Sequence, residues 1–170
     1  ADTCSTIVSG AMIGRTSFRG DILYSIGITG FIYPRIGHWS WGPDGWLAVM
    51  GTKGNVVEAL GQGFSDFAGS TVVHTIGGIA SLAGAIVLGP RIGRIFKRDN
   101  KEKGGMPPGH NMLVAAVGTF ILWFGWYGFN PGSTLSAMDV QGIGRVATNT
   151  TLAACAGGMF AMIAALWGGD

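Results

Sequence analysis

Residues Asp66 to Leu88, DFAGSTVVHTIGGIASLAGAIVL, form a long apolar run that opens on a carboxylate and carries one imidazole, His74. At about 1.5 Å of rise per residue, a helix of this length crosses the hydrocarbon core of a bilayer. Asp66, Ser70 and His74 recur at i, i+4 and i+8, which predicts one polar stripe on an otherwise apolar cylinder. His74 would then lie roughly 12 Å deeper along the axis than Asp66. An ionisable side chain at that depth is costly, and a functional path is the default explanation for it. The plainer alternative is a histidine that hydrogen-bonds neighbouring helices together.

Composition supports the membrane. Of 170 residues, 48% are hydrophobic and only 12% are charged, against about 25% charged in soluble domains. The 31 glycines follow no collagen period; glycine within apolar runs lets helix backbones approach closely. These features exclude an ordinary soluble globule and predict an all-α, polytopic helical membrane protein. The chain opens at Ala1 with no signal-peptide pattern and stops at Asp170 after an apolar run, so both ends look cut and further helices are expected on either side. Cys4 and Cys155 lie in apolar contexts without a CxxC or His-rich partner, which predicts buried packing rather than a metal site or disulfide. No cofactor is implied.

Five helices are expected, at about 1–14, 20–37, 66–89, 111–131 and 143–167. Gly10 and Gly14 make a GxxxG pair suited to helix contact. The second run is broken by Pro34 and should end near Gly37. HWSWGPDGW then brings Trp39, Trp41 and Trp46 to an interfacial aromatic belt, followed by a polar spacer with Lys53, Asn55 and Glu58. In the last segment Ala153, Gly157, Ala161 and Ala165 form a small-residue ridge that reads as a packing face. Asn149-Thr150-Thr151 matches a glycosylation sequon but falls within this helix, and is discounted.

Charge sets the orientation. The loop with Arg15 and Arg19 and the loop with Arg91, Arg94, Lys97, Arg98, Lys101 and Lys103 lie on one side, two crossings apart. The other side holds Arg35, Lys53 and Arg145. The positive-inside rule places the basic loops in the cytoplasm, and topogenic charge explains them better than a nucleic-acid partner. Trp41, Asp66, Phe129 and Ser133 therefore belong to the external face. Aromatic faces attract cations, a Ser hydroxyl can accept from a cationic donor, and a carboxylate nearby deepens the well. Beneath lies an apolar passage with His74 in it, which disfavours charge. A site that binds a cation above a route that rejects charge suits a substrate able to shed its proton, and ammonium is one.

The motifs TIVSGAMIGR (6–15), GFIYPRIGHWSWGPDGW (30–46), DFAGSTVVH (66–74), GPRIGR (89–94) and GTFILWFGWYGFNPGS (118–133) resemble those of the ammonium transporter (Amt/Rh) family. GFNPGS and GHWSWGPDGW are more similar to the Amt branch than to the Rh glycoproteins. The resemblance covers nearly the whole chain and implies a partial ammonium-transporter membrane domain over 1–170. It also implies an eleven-helix inverted-repeat bundle, of which this chain matches roughly the end of the third helix through the seventh, in the plasma or inner membrane. By position, Trp41, Phe129 and Ser133 match the external ammonium-recruitment site, and Asp66 matches the acid that supports binding and deprotonation. His74 matches the first of two pore histidines, and Leu122 and Trp126 match pore-lining positions. The resemblance implies a homotrimer with one pore per subunit, with ammonium and ammonia as the transported species. A PII-type regulator would dock on the cytoplasmic side. The second pore histidine has no counterpart here, and His38 and His110 do not replace it; the spacer from Val49 to Phe64 is longer than in compact bacterial members. A sensor domain coupled to a signalling module and a purely structural membrane protein remain as rival readings. No nucleophile–base pair or phosphate loop suggests an enzyme.

Overall fold

The computed structural model describes residues 1–50, 64–96, 99, 105 and 107–168. The spacer with Lys53, Asn55 and Glu58, and also Lys97, Arg98, Lys101, Lys103 and Asp170, lie outside the described residues. Two compact units make up the chain, Ala1–Arg94 and Ile95–Asp170.

In the first unit, α1 (Asp2–Met12), α2 (Phe18–Gly27), a π-helical segment π1 (Ile28–Ile32) and α3 (Tyr33–Trp41) precede a second π segment, π2 (Ser70–Thr75), and α4 (Ile76–Leu88). Helix α2 starts where the Ser17 hydroxyl accepts from the Gly20 N–H at 3.3 Å. The run is broken at Pro34, as expected, but by a π segment, and it continues four residues past the expected end near Gly37 to Trp41. One wide turn, in which the Tyr33 N–H donates to the Ile28 carbonyl five residues back, carries the chain past Pro34 and on to Trp41. A π turn takes up the residue whose bond the proline cannot make.

Helices α1 and α4 run parallel in close contact. A Cβ at Gly77 would stand 3.0 Å from Ile7 Cβ and 3.2 Å from the Cys4 carbonyl, and one at Gly84 would enter the Met12 side chain. The glycines of α4 thus make the close approach. Gly10, expected to do so, has open space around it, and Gly14 serves instead as the turn after α1, at φ +74°. Cys4 is fully buried at this crossing. Where the two helices end, Arg15 Nη1 donates to the Gly89 carbonyl at 2.7 Å and Arg91 Nη2 to the Gly10 carbonyl at 3.0 Å. Each guanidinium caps the carbonyl end of the opposite helix, where the dipole favours a cation. Arg15 and Arg91 therefore share one end of the unit.

The second unit holds α5 (Met112–Gly132) and α6 (Val140–Gly168). The Asn111 side chain caps α5, accepting from Leu113 N at 2.9 Å and Val114 N at 3.1 Å. Asp139 does the same for α6 through Gly142 N at 2.9 Å, which starts that helix three residues ahead of the expected Ile143. Cys155 is exposed on α6, against the expected burial. Of the small-residue ridge, Ala153 lines the α5–α6 groove, whereas Gly157 faces open space.

Three helical stretches are long and apolar enough to cross a membrane: Ser70–Leu88, Met112–Gly132 and Val140–Trp167. Leu113, Phe124 and Leu166 are 79%, 82% and 74% exposed; an apolar surface of that extent is compatible with lipid rather than water as solvent.

Candidate functional site

Helix α3 ends at Trp41, and the chain folds back over that end. The amides of Leu47 and Ala48 both donate to the Trp39 carbonyl at 3.1 Å. Trp39 and Trp46 meet edge to face with centroids 6.1 Å apart. Gly42 and Gly45 are required here because a Cβ on either would strike the His38 carbonyl. His38 and Asp44 pair across the fold at 3.1 Å. Trp41 is thus presented from a closed turn, 44% exposed, with its indole N–H donating to the Asp66 carbonyl at 2.7 Å.

Asp66 is 8% exposed and stands before the helix, not within it. Gly69 follows at φ +104°, a left-handed conformation that no right-handed helix can continue through. Both carboxylate oxygens serve the helix start: Oδ1 accepts from Gly69 N at 2.6 Å, and Oδ2 from Thr71 N at 2.9 Å and Val72 N at 2.8 Å. These are the donors that a helix N-terminus leaves unpaired. The Asp66–Ser70–His74 stripe expected of a continuous helix is therefore replaced by a cap followed by a π turn. His74 sits half-buried in π2, its N–H reaching the Gly69 carbonyl five residues back at 3.0 Å. π turns are frequent at functional sites.

On α5, Leu122, Trp126, Phe129 and Ser133 lie in order toward the helix end. The rings of Trp126 and Phe129 stack at 5.7 Å. Ser133 Oγ donates to the Phe129 carbonyl at 2.9 Å, which directs its proton inward and leaves the oxygen as an acceptor. A groove of about 560 Å³ between α5 and α6 is lined by Leu122, Trp126 and Asn130 from one helix and Thr150 and Ala153 from the other. Two bonds join the helices: Asn130 Nδ2 to Thr150 Oγ1 at 3.1 Å, and the Tyr127 hydroxyl to Thr151 Oγ1 at 2.6 Å. The structure thus joins Trp41 to Asp66 in the first unit and sets Trp126, Phe129 and Ser133 on successive turns in the second.

A family model described as "Ammonium Transporter Family" matches residues 1–168. The chain belongs to that family. Ammonium transporter Amt2 of Archaeoglobus fulgidus is 47% identical over 164 residues, covering 95% of this chain and 33% of that protein. Ammonium transporter 1 member 2 of Arabidopsis thaliana is 44% identical over 160 residues, 88% of this chain and 30% of its own length. Its namesake in Oryza sativa subsp. japonica is 44% identical over 158 residues, 86% and 31% of the two chains. The chain therefore spans about a third of the length of these curated relatives. No solved structure matches it. Membership of this family, together with the three membrane-length helices, makes it a multi-pass helical membrane protein.

Asn130, Tyr127, Thr150 and Thr151 are not among the candidate residues that the motifs of this family member point to. The signal was present: two hydroxyls in mid-helix on α6 and an amide beside the proline of α5 are polar groups that a membrane helix must pair. The discounted sequon, NTT at 149–151, supplies both hydroxyls as helix-to-helix partners.

Proposed function

We propose that the protein containing this chain carries ammonium across the membrane: it recruits the cation on the external face, removes its proton and passes ammonia along a path lined by His74, Leu122 and Trp126. The observation that carries this reading is the family match over residues 1–168. The local chemistry supports it. Trp41 and Phe129 offer aromatic faces to a cation. Ser133, with its proton committed to Phe129, offers an oxygen that a cationic N–H can donate to. Asp66 supports binding and deprotonation of the cation, and three backbone N–H bonds hold its carboxylate in place. Below, half-buried His74 can donate and accept hydrogen bonds with a small neutral amine. The homotrimer, the plasma-membrane location and the PII-type regulator implied by the family resemblance belong to the same proposal and rest on that resemblance alone.

Ammonium-dependent flux through the full-length protein in liposomes tests the reading, with wild type compared against Ser133→Ala and His74→Ala. Saturable flux whose half-saturating concentration rises in Ser133→Ala, and whose rate falls in His74→Ala, supports it. No ammonium-dependent flux from correctly folded wild type overturns it.

A further inference from the structure

The last turn of α5 carries both Phe129 and Ser133, and Pro131 sits inside it. Proline has no N–H to return to the carbonyl four residues back, at Tyr127, and its ring presses on that carbonyl. Beyond it the backbone tightens to bonds of shorter span: Ser133 N to the Asn130 carbonyl at 3.0 Å, Thr134 N to Pro131 at 3.2 Å and Leu135 N to Gly132 at 3.1 Å. The helix ladder alone leaves this turn weakly held where the cation-binding groups stand.

Two side chains on α6 compensate. Thr150 is 8% exposed and accepts from Asn130 Nδ2 at 3.1 Å. Thr151 Oγ1 donates to the Ala147 carbonyl at 3.0 Å, so its bond with the Tyr127 hydroxyl is one that the tyrosine donates. Tyr127 and Asn130 lie on either side of Phe129, four residues and one residue before Pro131. The two bonds therefore fasten the proline-weakened turn to a continuous 29-residue helix.

We infer that Thr150 is a positioning residue for the external cation site: through Asn130 it fixes the orientation of Phe129 and Ser133 and so sets affinity and size selectivity for the cation. Thr150 does not touch the cation and acts only through the α5 turn. This inference rests on the transport reading above.

The test uses the full-length protein in liposomes, with wild type, Thr150→Val, Thr150→Ser and Ser133→Ala. Flux is measured against ammonium concentration, and the methylammonium-to-ammonium flux ratio is taken for each. Thr150→Val keeps the shape and removes the acceptor; losing one buried hydrogen bond that orders the site is expected to raise the half-saturating concentration roughly threefold to tenfold. The maximal rate per folded protein should change far less. The flux ratio should shift in the same variant, and Thr150→Ser should restore both. Combined with Ser133→Ala, Thr150→Val should add little, because both act on one turn. An unchanged half-saturating concentration and ratio in Thr150→Val, alongside a clear effect of Ser133→Ala, overturns the inference and leaves transport standing. Absence of flux in folded wild type overturns transport itself. Should Thr150→Val fold poorly, the flux ratio still decides, since it does not depend on how much protein is present.

Discussion

The indole N–H of Trp41 and the backbone carbonyl of Asp66 are joined by a 2.7 Å hydrogen bond across 25 residues of sequence. The aromatic ring and the acid are thereby one construction: the carboxylate of Asp66 starts π2, its carbonyl anchors Trp41, and His74 follows on the same π turn.

Trp41→Phe keeps an aromatic face and removes that bond. The Asp66 carbonyl loses a partner worth about 1 kcal/mol. Ammonium flux should persist with a half-saturating concentration raised severalfold, and a dose–response curve checks it; equality with wild type would show that the bond does not hold the ring.

Asp66→Ala strips the acceptor from three amides at once. With Asp66 buried, the loss should exceed roughly 3 kcal/mol. Asp66→Asn keeps one acceptor oxygen and should fall between Ala and wild type. Thermal unfolding of the detergent-solubilised protein should rank wild type above Asn above Ala, and an Ala variant as stable as wild type would refute the capping role.

Gly77→Ala introduces a methyl 3.0 Å from Ile7 at the α1–α4 crossing, whereas Gly78→Ala meets open space within the first unit. The first should destabilise by about 1–3 kcal/mol; the second should be tolerated or slightly stabilising, since alanine favours helix. The pair is read by melting temperature, and equal effects would contradict the close crossing.

Asp44→Asn removes the carboxylate that meets His38 Nε2 at 3.1 Å, between side chains that are 79% and 56% exposed. Exposed pairs contribute little, so stability should shift by less than about 0.5 kcal/mol and flux should stay as it is. A marked loss of either would show that this pair holds the Trp41 turn.

How far the chain could be read in advance depended on the kind of force at work. Apolar length identified α5 and α6, because a lipid-spanning helix pairs its backbone within itself and needs only the right run of side chains. The same logic misplaced Asp66, since periodicity treats an acid at the head of an apolar run as its first turn. Only the left-handed Gly69 and the three amides pointing at the carboxylate reveal a cap. An Asp just before an apolar run is itself a helix-start signal, which the i, i+4, i+8 pattern obscures. Pro34 marks a break in the second run, but the form of that break, a π turn, leaves no compositional trace. The hydroxyls of α6 show the limit most plainly: Thr148 bonds its own helix at Gly144 while Thr150 accepts from α5, and nothing local to either residue separates them. Phe129 and Ser133 could be proposed from their motif, but the bond from Asn130 to Thr150 becomes visible only with both helices in place.

The exchanged arginine bonds of the first unit also bear on how the protein is made. Arg15 and Gly89 are 74 residues apart, and Arg91 and Gly10 are 81. Neither bond can form until α4 has been synthesised through its last turn and brought beside α1. Contacts that distant in sequence close late. The first unit is therefore completed from its α4 end: a nascent chain halted before Arg91 can still pair Arg15 with the Gly89 carbonyl but lacks the guanidinium that caps α1 at Gly10.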